Sequence, residues 1–295
     1  MTKGDRPLFS APVILALAAL LFAVMAVIVK ITASRLPGPE VAFVRFAVGI
    51  AVCALASTKI PMRSRNRIGL ALRGAYGGAA VLCYFLAIAH LPVGVATLMN
   101  YTAPVFTAIY AALFLGEALK RSTVFALVLT TVGMVLVMIG SAPPGSLVIG
   151  PWQIVAFASA VLSGAAVATI REVRRTDGSW EIFLAFCVGG AAMTLVPTIA
   201  AWRTPTALEW VELVVVGLLS LAAQLMMTYS LRFVRAAASG VIIQLTPVAA
   251  MAIGWLFLGE TMAGWAIVGA LLTLSGVTWG ILFAGAPEPV ALEEP

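Results

Sequence analysis

Charge is what this chain has least of. Only 10% of its 295 residues are Asp, Glu, Lys or Arg, against 62% hydrophobic, and its mean hydropathy is +1.08. Soluble domains carry about 25% charged residues, so a soluble globular fold is excluded. Histidine occurs once, as His90, and no His-Glu-x-x-His is present. No pair of Asp residues is placed to hold a magnesium–diphosphate. An intramembrane serine protease would have to use Ser163-Gly164 with His90, and its flanking pattern is missing. Intramembrane enzyme chemistry therefore fails on inventory. The three cysteines, Cys53, Cys83 and Cys187, fall in apolar runs without metal-ligand spacing, so they read as small buried hydrophobes. No metal and no cofactor are expected. Also missing are a channel-type selectivity segment and any nucleotide-binding loop.

What the chain has in quantity is apolar runs about 20 residues long, the length that crosses a hydrocarbon core. Ten can be marked, near 11–33, 41–58, 69–90, 92–114, 121–140, 151–170, 181–201, 210–231, 236–258 and 262–283. The expected fold is all-α, a polytopic membrane protein of ten transmembrane helices. The longest gap is Ser141–Gly150, which leaves no extramembrane domain to hold a site. Lys3 and Arg6 before the first run resemble a signal-peptide start. That run is longer than the roughly 7–15 residues of such segments, so a retained helix is expected.

Lys and Arg are distributed unevenly. With ten spans and a cytoplasmic N-terminus, 14 of them fall inside, including the Lys59–Arg67 group, Arg73, Arg171, Arg174 and Arg175. Only three, Lys30, Arg35 and Arg203, fall outside, and Arg45 lies within the second span. This bias puts both termini in the cytoplasm. The net charge of +6 is then topology and needs no nucleic-acid partner.

The strongest pattern is a repeat. Pro104–Glu117 and Pro247–Glu260 match at seven of fourteen positions, including Pro-Val at the start and Leu-Phe-Leu-Gly-Glu at the end. The offset of 143 also sets Gly133 against Gly276 and Asn100-Tyr101 against Ile243-Gln244. The matched segments are five spans apart, an odd number, so they point in opposite directions. A 5+5 inverted repeat in an apolar chain implies a membrane carrier with its site between the halves. The expected units are 1–140, a first five-helix repeat; 141–150, a linker loop; 151–283, a second repeat; and 284–295, a cytoplasmic tail.

These residues resemble the drug/metabolite transporter superfamily, EamA-type ten-helix branch. The resemblance rests on the doubled Pro…Leu-Phe-Leu-Gly-Glu and on Lys30 ending the first helix. It rests also on Pro37-Gly-Pro followed by Arg45-Phe46, and on Gly-containing helices after each Leu-Gly-Glu. It implies a carrier of small metabolites in the bacterial inner membrane, with helices one to four and six to nine around a central cavity. It names no substrate: amino acids, nucleosides, vitamins and toxic cations all fall within it. The second half has Phe186 where the first has Arg45.

Polar groups in hydrocarbon are costly, so those present mark candidate positions. Asn100 and Tyr101 lie near mid-depth of the fourth helix, with Gln244 and Thr246 at the matching depth of the ninth. Pro104 and Pro247 each remove a backbone donor and free a carbonyl upstream, predicting kinks beside these side chains. Arg45 is a candidate for a substrate carboxylate, although snorkelling with Glu40 as partner accounts for it too. Tyr84, Tyr229 and Gln224 suit the wall of a cavity. Gly74–Gly78 and Gly276–Gly280 permit close helix approach, within the chain or between two copies, so a homodimer stays open. No Asp or Glu lies mid-span, which points to facilitated diffusion, exchange or a proton carried on the solute. The expected function is a secondary transporter moving a small amphipathic metabolite, an amino acid or related zwitterion, by alternating access. Export follows from the resemblance; vitamins, nucleosides and organic cations are the alternative solutes.

Overall fold

In a bilayer no water is available to backbone N–H and C=O groups, so an apolar run must satisfy them internally, as a helix. The computed structural model describes residues 10–90, 99–141, 150–259 and 264–283. Among these there is no strand. The helices are α1 (Ala11–Ala33), α2 (Gly38–Ser57), α3 (Arg67–His90), α4 (Ala103–Phe114), α5 (Arg121–Ser141) and α6 (Pro151–Val173). They continue with α7 (Ser179–Ala201), α8 (Ala207–Ser230), α9 (Ala236–Ile243), α10 (Leu245–Leu258) and α11 (Gly264–Phe283). Eight stretches are long and apolar enough to cross a membrane, α9 and α10 counting as one. The described parts of the expected fourth and fifth spans, Ala103–Phe114 and Arg121–Val137, are apolar but shorter.

Local chemistry sets the ends. Proline occupies the first turn of α1, α2, α4 and α6, where its missing N–H costs nothing. α8 begins at Ala207, three residues before the expected 210, because Thr206 and Glu209 form a capping box. The doubled Leu-Gly-Glu also has a physical reason. Gly116 (φ 64°) and Gly259 (φ 65°) are the positive-φ glycines among the described residues, and each ends its helix in the left-handed region. Glu260 lies outside the described residues.

The helices break three residues before Pro104 and before Pro247. Tyr101-Thr102 form a turn between Met99-Asn100 and α4, and Gln244 separates α9 from α10. Tyr101 and Gln244 are themselves 143 positions apart.

Packing runs mainly between the two parts of the chain. α1 packs on α8, α9 and α10; α2 on α7 and α8; α3 on α6 and α7; α4 on α6 and α9; and α5 on α11. A shift of five spans turns α1–α8 into α6–α3, and α2–α8 into α7–α3. The α5–α11 seam is reciprocal in detail. A methyl on Gly133 would lie 2.6 Å from the Gly269 carbonyl oxygen and 2.6 Å from the Thr273 nitrogen. On Gly276 it would lie 3.1 Å from the Ala126 oxygen and 3.0 Å from the Thr130 nitrogen. Ala126 and Gly269, and Thr130 and Thr273, stand at the same offset of 143. Gly74 and Gly78 meet Ala185 and Gly189 across α3–α7 in the same manner. Both glycine patterns left open between chain and dimer are thus used within the chain.

Candidate functional site

The two helix breaks face one another. Nε2 of Gln244 donates to the backbone carbonyl of Tyr101 at 3.3 Å. Gln244 is 1% exposed, and its Oε1 is buried with no hydrogen-bond partner. A cavity of about 170 Å³ opens here. Asn100, Tyr101, Pro104 and Thr107 form one wall, Ser239, Gly240 and Gln244 the facing one, and Ser163, Val167 and Met227 close it from α6 and α8. Glycines let the walls approach: a methyl on Gly240 would lie 3.0 Å from Cβ of Pro104, and one on Gly164 would lie 2.6 Å from Cβ of Phe106. The space is below the roughly 300–1,000 Å³ of sites for drug-sized ligands, so it suits a solute nearer amino-acid size.

Asn100, Tyr101, Pro104 and Gln244 are therefore brought together, and the other expected residues are distributed around them. Tyr84 packs against the cluster of Ala87 and Ala156, as Met99 does, and is not among the residues lining the cavity. The Thr246 hydroxyl donates to the Ala19 carbonyl at 3.2 Å, tying α10 to α1. Pro247 follows it, outside the lining. Tyr229 packs on Phe233 with ring centroids 5.4 Å apart. Gln224, one turn from Met227 on α8, accepts from Nη2 of Arg73 at 3.3 Å. Arg45 Cζ lies 4.7 Å from the Phe46 ring centroid. Glu40 does not pair with Arg45: its Oε2 accepts the Arg203 backbone N–H at 3.0 Å. His90 stacks on Trp152, ring centroids 3.6 Å apart, and takes no part in the cavity.

Apart from Arg45 and Arg73, the charged residues gather at the helix ends. At one end Arg35 donates to Glu212 at 2.8 Å, and Glu40 receives Arg203. At the other, Asp177 accepts the backbone N–H groups of Arg65 and Asn66 at 2.8 and 3.0 Å, and Glu181 that of Arg63 at 3.0 Å. Burial, followed by the charge of Arg232, lowers the pKa of Arg174 there. Arg171, 7% exposed, donates through Nε to Glu117 at 3.0 Å and through Nη1 to the Leu231 and Arg232 carbonyls at 2.6 and 2.8 Å. The other oxygen of Glu117 accepts the Ala236 N–H at the start of α9 at 3.0 Å.

A larger groove of about 560 Å³ lies open between α3 and α7. Apart from Ser64 and Glu181 its lining is apolar, and it contains none of the expected site residues. It suits an acyl chain rather than a polar solute.

Comparisons with known proteins agree with a carrier architecture. The sequence pattern of the EamA-like transporter family matches twice, over residues 10–139 and 150–282. The pseudopaline exporter CntI of Pseudomonas aeruginosa is 30% identical over 262 residues, covering 87% of this chain and 90% of its own. An uncharacterized transporter of Helicobacter pylori is 32% identical over 64% of each chain. Mouse solute carrier family 35 member G1 is 24% identical over 72% of this chain and 61% of its own. A solved structure only 22% identical shares the fold, with a TM-score of 0.79 over 93% of this chain and 97% of its own.

Proposed function

The chain belongs to the EamA-like transporter family, and on that premise we propose that it is a secondary carrier of a small amphipathic metabolite, an amino acid or related zwitterion. It is a multi-pass membrane transporter and not an enzyme, as its family and relatives are. The finer reading is alternating access between two inverted five-helix repeats, 1–140 and 151–283, joined by 141–150 and followed by the tail 284–295. Paired contacts at the 143-residue offset support it.

One observation carries the site: two helix breaks at repeat-related positions meet at a small cavity, where Gln244 keeps an unpartnered buried oxygen. That oxygen is an acceptor awaiting a donor, and a substrate ammonium supplies one. Asn100, the Tyr101 backbone and the hydroxyl residues Thr107, Ser163 and Ser239 complete the polar part of the lining, as broken-helix sites require. The name of the bacterial exporter relative favours export. The 14-to-3 bias of Lys and Arg, with the charge clusters segregated at opposite helix ends, supports cytoplasmic termini in a bacterial inner membrane.

The test is counterflow in proteoliposomes with Asn100→Ala and Gln244→Ala. Both should lose transport while keeping a folded-protein elution profile. Wild-type flux in either folded variant refutes its assignment to the site.

A further inference from the structure

An arginine among transmembrane helices needs partners, and Arg171 shows a satisfied one, with a carboxylate and two carbonyls. Arg45 and Arg73 differ. Nε and Nη2 of Arg45 are buried without a hydrogen-bond partner. Arg73, 3% exposed, reaches only Gln224 Oε1 and leaves Nε unpartnered. Neither meets a carboxylate among the described residues. Each lies over a ring instead. Arg73 Cζ is 4.2 Å from the Phe186 centroid and Arg45 Cζ 4.7 Å from that of Phe46, and the two rings meet edge to face at 5.1 Å. Cys187 is within electrostatic range of both guanidinium groups.

A ring face attracts the cation but offers nothing to the N–H groups in its plane. Snorkelling does not account for the pair either. Arg45 is seven residues into α2 and Arg73 six into α3, roughly 10 and 9 Å along their helices at 1.5 Å per residue. Consecutive helices enter from opposite sides, so both groups reach inward from opposite ends of the core. Neither arginine lines the cavity, but Gln224, which accepts from Arg73, lies one turn along α8 from the cavity-lining Met227.

We propose that Arg45 and Arg73 are a recognition pair for oxyanions, and that the transported class carries two such groups, as acidic amino acids and their conjugates do. This rests on the carrier reading above and narrows its substrate. The buried Arg73 and the half-buried Arg45, without an internal acid, are neutralised by a solute bringing two negative charges; a single carboxylate leaves one charge unmatched. Guanidinium forks bind carboxylate and phosphate alike, so phosphomonoesters form a separate arm of the test.

The experiment measures the thermal midpoint of the purified full chain with L-glutamate, succinate, L-alanine, glycerol 3-phosphate and putrescine, with proteoliposome flux of each. L-Glutamate or succinate should raise the midpoint, and L-alanine and putrescine should not. Arg45→Gln and Arg73→Gln should each weaken the response by about 30-fold or more in affinity. Arg73→Lys, which keeps the charge, should retain part of it, separating recognition from folding. Stabilisation by glycerol 3-phosphate alone overturns the dicarboxylate class, and no response to any oxyanion overturns the pair. Binding of L-alanine or putrescine that is lost in Gln244→Ala but kept in both glutamine variants also overturns it, while leaving the carrier reading intact. An arginine-dependent glutamate response without flux of any solute supports the pair and sinks the carrier reading instead.

Discussion

Glu117→Gln should destabilise the folded chain by about 3 kcal/mol. Removing one partner of a buried ion pair costs about 3–5 kcal/mol, because the remaining charge is left uncompensated. The lower end applies here. Arg171 keeps its carbonyl contacts with Leu231 and Arg232, and the Arg171 and Glu117 side chains retain 8% and 10% exposure. Glutamine also keeps an acceptor for the Ala236 N–H, so α9 retains its N-terminal contact. The assay is reversible unfolding in mixed micelles, following far-ultraviolet circular dichroism against the mole fraction of dodecyl sulfate. The double variant Glu117→Gln/Arg171→Met should be less destabilised than the two singles summed, by about 1–3 kcal/mol, since the orphaned charge is gone. A single variant within about 0.5 kcal/mol of wild type, or strict additivity in the double, refutes the reasoning.

Gly133→Ala and Gly276→Ala should each cost about 1–3 kcal/mol by forcing α5 and α11 apart. Together they should cost less than the sum, because one separation relieves both overlaps; additive midpoints in the same titration contradict a shared seam. Gly240→Leu adds bulk beside Pro104 at the cavity wall, so counterflow should be lost while the protein still elutes as folded; retained flux places the solute path elsewhere.

The sequence made the arrangement of the site more legible than its chemistry. The offset between Pro104 and Pro247 relates the two breaks, and Gln244 bonds to a residue 143 positions away. Azimuth was harder to read. These helices are apolar around their circumference, so no amphipathic stripe says which way Thr246 or Tyr229 points. Thr246 turned to α1 and Tyr229 to Phe233. Arg73 reads as one of the inner-side charges because it falls only four residues into the run expected to start near 69. With α3 beginning at Arg67, Arg73 sits inside, where Gly74, Gly77 and Gly78 let α7 close over it. That cluster of glycines beside an arginine was the available signal. The Glu117–Arg171 contact spans 54 residues, and nothing local in the sequence announces it.

The pairing of helices across the two parts of the chain bears on how the protein is made. α1, α2 and α3 have their main packing partners among α6 to α10, and α5 has its partner in α11. While the ribosome is still producing the second part, the first helices lie in the membrane as separate, internally bonded rods without their neighbours. Insertion and assembly are then distinct stages, and of the described seams the one between α5 and α11 forms last. Nascent chains stalled before Gly264 would therefore hold the partners of α1 to α4 but leave α5 without its main partner, so that compaction comes in two steps and the α5 seam closes second.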